Sequence, residues 1–227
     1  MTTLTRNTKA LRAEVAAHIE ADALIRGQYW GDGKGCFIGC LTHSDDPAPA
    51  FERFGLPVAV LRIAEGIFEA LPDDEGRAFC AALPDAVERD GKDLSRVHWA
   101  FLAEELRALP PLPQEVQGVI DPVIAGMDLL ANGQEWPRVA AADAAYAAAY
   151  VVNDAATAPT AAYATNAAAY AVYAVYVADA AHAADTAAYA TNAAAYAVYA
   201  ADAADAAAYT ARLRQRDTLL RLIKEAE

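Results

Sequence analysis

Through its first 131 positions the chain places apolar residues at helical spacing, in blocks parted by proline, glycine and acidic pairs. Residues 8–25 are amphipathic and predict a first helix. Pro57 opens a second over 57–71, with Val58, Leu61, Ile63 or Ala64, Ile67 and Phe68 along its apolar face. Asp73 and Asp74 start a third over 74–83. Asp93–Leu109 predicts a fourth, built on Leu94, Val97, Trp99, Phe101, Leu102 and Leu106 and stopped by Pro110. Residues 113–131 predict a fifth. No stretch alternates convincingly as a strand does, although Cys36–Leu41 fits one short buried strand. LTHSDDPAPAF reads as a turn-rich connector. The predicted fold class is all-α. A helical domain over 1–137 carries a Gly/Cys loop, and 138–227 forms Ala/Tyr-rich repeat helices, closely packed, with a charged last helix.

Beyond about Val139 the pattern changes. Thr160–Ala174 reads TAAYATNAAAYAVYA, and Thr186–Ala200 repeats it letter for letter. Ten of the eleven tyrosines lie between Tyr146 and Tyr209. Tyr150, Tyr163, Tyr176 and Tyr189 are spaced by thirteen, as are Asn153, Asn166, Asp179, Asn192 and Asp205. Alanine is the best helix former, and no glycine or proline follows Thr160. Thirteen residues are not a whole number of helical turns, so one straight helix would smear the repeat around its circumference. Within a unit, Tyr163, Asn166, Tyr170 and Tyr173 share a face, and Asp179, His182 and Asp185 lie mostly on the other. A stack of antiparallel helices is favoured over one long rod, because a lone Ala-rich helix buries little apolar area. Asp154, Thr157 with Pro159, and Asp185 with Thr186 supply its caps or breaks, with a break expected near Asn153–Thr160. Tyr163, Tyr170, Tyr189 and Tyr196 are expected to be largely buried between helices or subunits.

Charge limits the partners. The net charge is −13, distributed as −9 over residues 1–139, −6 over 140–211 and +2 over 212–227. Such a chain repels phosphate backbones, which argues against direct nucleic-acid binding. It leaves open an acidic mimic that occupies a nucleic-acid site on a partner, and also the simpler reading that the charge keeps an Ala-rich protein in solution. Asp or Asn interrupts every Ala-rich run before it is long enough to span a membrane. An odd count of three cysteines and the want of a continuous apolar leader argue for a reducing cytoplasm, that of a host cell.

Chemistry is plausible only in the loop GQYWGDGKGCFIGC, residues 27–40. Cys36, Cys40 and His43 read C-x3-C-x2-H. Zinc needs a fourth ligand, and no second Cys/His pair stands at finger spacing, although Cys80 or His98 could add one through space. No metal site and no cofactor are expected. As an enzyme, Cys36 or Cys40 would be the nucleophile, activated by helix-start amides and Lys34, with His43 or His98 as base. GDGKG lacks the strand and spacing of a nucleotide fingerprint. The structural alternative is a tight loop with several positive-φ glycines, and Cys36 and Cys40 as small buried side chains.

The stretch GKGCFIGCLTHSDD, then FGLPVAVLRIAEGIFEALPDDEG, then the Ala/aromatic repeat and the last helix ARLRQRDTLLRLIKEAE resemble a group of uncharacterised phage and prophage proteins. In that group a GxGCxxGCxxHS-like loop precedes an IFE-x-LP helix. The resemblance implies a mobile-element setting and no catalytic residues. The expected function is therefore binding of another protein, in its sharpest form inhibition of a host defence complex, with self-association as a further expectation. The expected partner-binding residues are Tyr163, Tyr170, Tyr189 and Tyr196, flanked by Asp179, Asp185, Asp202 and Asp205.

Overall fold

The computed structural model describes residues 4–152, 159–176, 180–202 and 205–227, with some side chains next to the gaps left out. The elements in chain order are α1 Thr8–Glu20, β1 Trp30–Gly31, β2 Lys34–Gly35, α2 Phe37–Thr42, α3 Ala48–Phe54, α4 Val58–Ala70, α5 Asp73–Val87, α6 Val97–Arg107, α7 Gln114–Ala131, α8 Arg138–Val152, α9 Pro159–Tyr176, α10 Ala180–Asp202 and α11 Asp205–Glu225. The fold is predominantly all-α, 74% helical, with one two-stranded sheet among the described residues. None of the described helices is long and apolar enough to cross a membrane.

Packing divides the chain elsewhere than composition does. One compact unit holds residues 1–97 and 215–227, the other 98–214, whereas the compositional boundary falls at 137/138. Two contacts tie the C-terminus into the first unit. Asp93 N donates to Glu227 O at 2.7 Å. Lys92, 1% exposed, donates from Nζ to Ile223 O at 3.2 Å and Lys224 O at 2.8 Å, and to Ala86 O at the end of α5 at 3.3 Å. A cation on the last carbonyls of a helix satisfies orphan acceptors and meets the negative end of the helix dipole.

In the first unit, Leu11, Phe37, Phe54, Ile63, Ile67, Phe68 and Phe79 form the core. Pro57 and Pro72 stand immediately before α4 and α5, and Asp73, Asp74 and Glu75 fill the first turn of α5, where the helix dipole favours acids. α1 stops at Glu20, short of the expected residue 25, because Asp22 turns left-handed (φ 50°) and sends Leu24 inward to pair with Gly35. The connector holds a helix, α3: Asp46 Oδ1 accepts from Ala48 N at 2.9 Å, and Gly55 ends it at φ 70°. Cys36–Leu41 is not a strand. It enters α2, whose N-cap is Cys36, because the run is too short for periodicity to separate helix from strand and the cap decides.

In the second unit α9 and α10 pair antiparallel. Tyr163 meets Tyr196 and Tyr170 meets Tyr189, with ring centroids 5.5 and 5.7 Å apart, so contacts advance on one helix as they recede on the other. The buried faces largely coincide in the two repeat copies, although Val172 and Ala174 are buried and their equivalents Val198 and Ala200 only half-buried. Ala161, Ala164, Ala167, Ala168 and Ala171 on α9 match Ala187, Ala190, Ala193, Ala194 and Ala197 on α10. Thr165 and Thr191, both buried, donate to the carbonyls of Ala161 and Ala187 one turn back. The repeat is therefore a helix that packs against its own copy. The expected break near Asn153–Thr160 falls on residues 153–158, outside the described ones; α8 ends at Val152 and α9 begins at Pro159. Trp136, beyond the end of α7, lies against Gly126 of that helix so closely that a Cβ there would stand 2.2 Å from its ring.

Candidate interaction surface

The glycine loop is built around a tight hairpin. Trp30 pairs with Gly35 and Gly31 with Lys34, and Asp32 (φ 52°) and Gly33 (φ 78°) make the turn, both left-handed as a type I′ turn requires. Gly35 and Gly39 serve a different need. A Cβ on them would stand 1.9 and 1.4 Å from Tyr29 O, so the Tyr29 backbone crosses α2 where no side chain fits. These glycines admit backbone and not a phosphate.

The thiols are held as thiols. Cys36 Sγ accepts from Gly39 N at 3.4 Å, the arrangement expected to favour a thiolate. Against this, the group is buried and donates to Glu65 Oε1 at 3.2 Å, and burial with the Glu65 charge pushes its pKa up to about 12. Cys40 Sγ donates to Gly35 O at 3.4 Å, and burial raises it to about 11. Cys80, fully buried, is raised too, by burial first and then by Cys40 and Cys36. Lys34, expected beside the thiolate, lies 3.8 Å from Asp22 at the surface. His43 ends α2 at φ 57° and stacks on Trp30, ring centroids 4.2 Å apart, with His18 edge-on to both. Among the described hydrogen bonds neither thiol meets His43, and His98 belongs to the other unit. Among the described residues no group of three His, Cys, Asp or Glu side chains is placed to hold a metal.

Sequence reasoning missed the polar chain beside Cys36. Arg62 donates to Glu65 Oε2 at 2.9 Å, to Tyr29 OH at 3.3 Å and to Asp45 O at 3.1 Å, so Glu65 is held between a guanidinium and a thiol. The first Glu in IAEGIFE, Glu65, was the available signal, an acid set among apolar residues on α4. The network fastens loop to helix and uses Glu65 to keep Cys36 protonated.

The second unit carries the surface. Tyr163, Tyr170, Tyr189 and Tyr196 are 40, 40, 59 and 52% exposed, so the expected burial between helices is corrected. The buried faces of α9 and α10 are mostly alanine, and the tyrosines pair instead across the two helices where they stay partly exposed. Tyr173 and Tyr199 are 50 and 41% exposed. The outer face of α8, opposite its buried Ala141, Ala144 and Ala148, adds Tyr146 and Tyr150, 75 and 70% exposed and stacked on each other. Their i, i+4 spacing was readable in the sequence. Asp185 is half-buried. Asp179 and the side chains of Asp202 and Asp205 lie outside the described residues.

The same unit holds a part-buried polar set. Glu105, 1% exposed, accepts from Arg214 Nη2 at 2.9 Å. Arg212 donates from Nη1 to Asn192 Oδ1 at 3.0 Å, and burial lowers its pKa, opposed by Tyr196 and Glu105 nearby. No family model, curated protein or solved structure matches the chain.

Proposed function

We propose that this protein acts by binding another protein through the tyrosine surface of α8, α9 and α10. The observation that carries the reading is exposure: eight tyrosines from Tyr146 to Tyr199 are 40–75% exposed, on helices whose buried faces are mostly alanine. Folding has no use for so many rings in water, whereas interfaces favour tyrosine, which supplies a large contact area at small entropic cost. The sharpest form is an inhibitor of a host defence complex, in keeping with the mobile-element setting that the loop and helix motif imply. The cysteine-enzyme reading gains nothing from thiols raised to about 12 and 11.

The test is a photo-crosslinking amino acid at Tyr170, with exposed Glu52 of the first unit as control, in a bacterial lysate. One partner should crosslink from position 170 and not from 52. Unlabelled protein should compete, and a variant with Tyr163, Tyr170, Tyr189 and Tyr196 all changed to Ser should not. Equal yield from both positions, or full competition by the fourfold variant, would refute the reading.

A further inference from the structure

The two repeat copies are identical in sequence, but one of them already has an occupant. In the second copy Asn192 and Tyr196 stand one turn apart on α10. The chain's own Arg212 donates a guanidinium hydrogen bond to Asn192 Oδ1 at 3.0 Å, close enough to Tyr196 for the two to act on each other electrostatically. The same two residues, at the same spacing, recur in the first copy as Asn166 and Tyr170 on α9. Asn166 is half-buried like Asn192, and Tyr170 is 40% exposed against 52% for Tyr196. Tyr170 pairs with Tyr189 as Tyr196 pairs with Tyr163. Thr165 and Thr191, next to the two asparagines, make the same bond to their own helices. Backbone, ring pairing and polar neighbour therefore recur.

We infer that Asn166 and Tyr170 form a docking site for an arginine side chain of the partner protein, equivalent to the one that Arg212 fills at Asn192 and Tyr196. The site rests on the tyrosine surface proposed above and names the chemistry it recognises. An amide oxygen accepts from the guanidinium, and a tyrosine stands near enough to act on the cation electrostatically. Among the described residues no hydrogen bond ties an arginine to Asn166. The segment 140–211 has six aspartates and neither lysine nor arginine, so its field draws a cation in and the segment supplies none of its own. A second copy of this chain is the less suited occupant, because each carries a net charge of −13. A planar, forked donor suits an amide beside a ring better than a compact ammonium does, so arginine is favoured over lysine.

The probe is N-acetyl-arginine methylamide, titrated into the full chain while the Asn166 side-chain amide and the Tyr170 ring are followed by NMR. Both signals should shift saturably, and the lysine analogue should bind about fivefold more weakly. Asn166→Ala should remove the response. Arg212→Gln should add a second, matching response at Asn192 and Tyr196, since that copy is then vacated. The inference is overturned by no saturable shift at Asn166, by equal binding of the lysine analogue, or by an unchanged response in Asn166→Ala. Crosslinking from position 170 separates this from the broader reading. A partner still captured by a chain that ignores the arginine probe leaves the tyrosine surface standing and removes only the arginine site. Arginine binding with no crosslinked partner does the reverse.

Discussion

Cys36 occupies a helix N-cap, a position that elsewhere makes thiols reactive, and it has been given surroundings that keep its proton in place. The Gly39 amide favours the thiolate, but burial and the Glu65 carboxylate outweigh it, and the pKa stands at about 12. Cys40, at about 11, follows for the same main reason. At pH 8 the thiolate fraction is then on the order of one in a thousand or below. Native protein at pH 8 should therefore take up iodoacetamide only slowly at Cys36, Cys40 and Cys80, while all three label at once in concentrated urea. Mass spectrometry of the peptides decides it, and rapid single-site labelling of the native chain would restore the enzyme. The sequence showed the cap, the glycines and the cysteines. It did not show that Glu65, 29 positions on, would be placed against Sγ, because that depends on how α4 packs on α2. A long-range contact between one acid and one thiol leaves no local pattern to read.

At the scale of elements, what was legible had a local cause. Pro57 and Pro72 set the starts of α4 and α5, and alanine content with the lack of breakers set α9 to α11. The helix α3 was hidden in a string of turn residues, although its Asp46 cap and its Pro-rich first turn are ordinary start signals. The repeat was read as helical correctly, but its tyrosine rings were expected to be buried between helices or subunits. Burial reverses this: Ala168 and Ala194 are enclosed, and a larger side chain at either would overpack its surroundings. Changing either to Leu should destabilise the chain by about 1–3 kcal/mol through overpacking, and by similar amounts, since the two are repeat equivalents. Tyr170→Ala, at a position 40% exposed, should cost less than either. Urea denaturation of the three variants tests the order. A harmless Ala168→Leu beside a damaging Tyr170→Ala would mean that the rings, and not the alanines, hold the hairpin.

At the scale of the whole molecule, the division into 1–97 with 215–227 and 98–214 makes stability a joint property of distant segments, since Lys92 must find the end of α11 for the first unit to close. His98, the first residue of the second unit, gives that stability a pH dependence. Its Nδ1 is enclosed with no hydrogen-bond partner among the described residues, its ring centroid lies 4.0 Å from that of Trp99, and burial lowers its pKa to about 4. In the unfolded chain the same group titrates near its ordinary 6.5. Between these values the unfolded chain holds the extra proton and the folded chain does not. Stability contributed by neutral His98 is therefore complete above about pH 6.5 and is lost as pH falls toward 4. The residue as a whole is only half-buried, which softens the penalty. From pH 7 to pH 5 the loss should be about 1–2 kcal/mol. His98→Leu, which cannot take up the proton, should show that much less decline over the same interval, when the two chains are compared by urea denaturation at each pH. Equal declines would mean that the imidazole finds water or an acid when it is protonated, and that the acid sensitivity of the fold comes from its carboxylates.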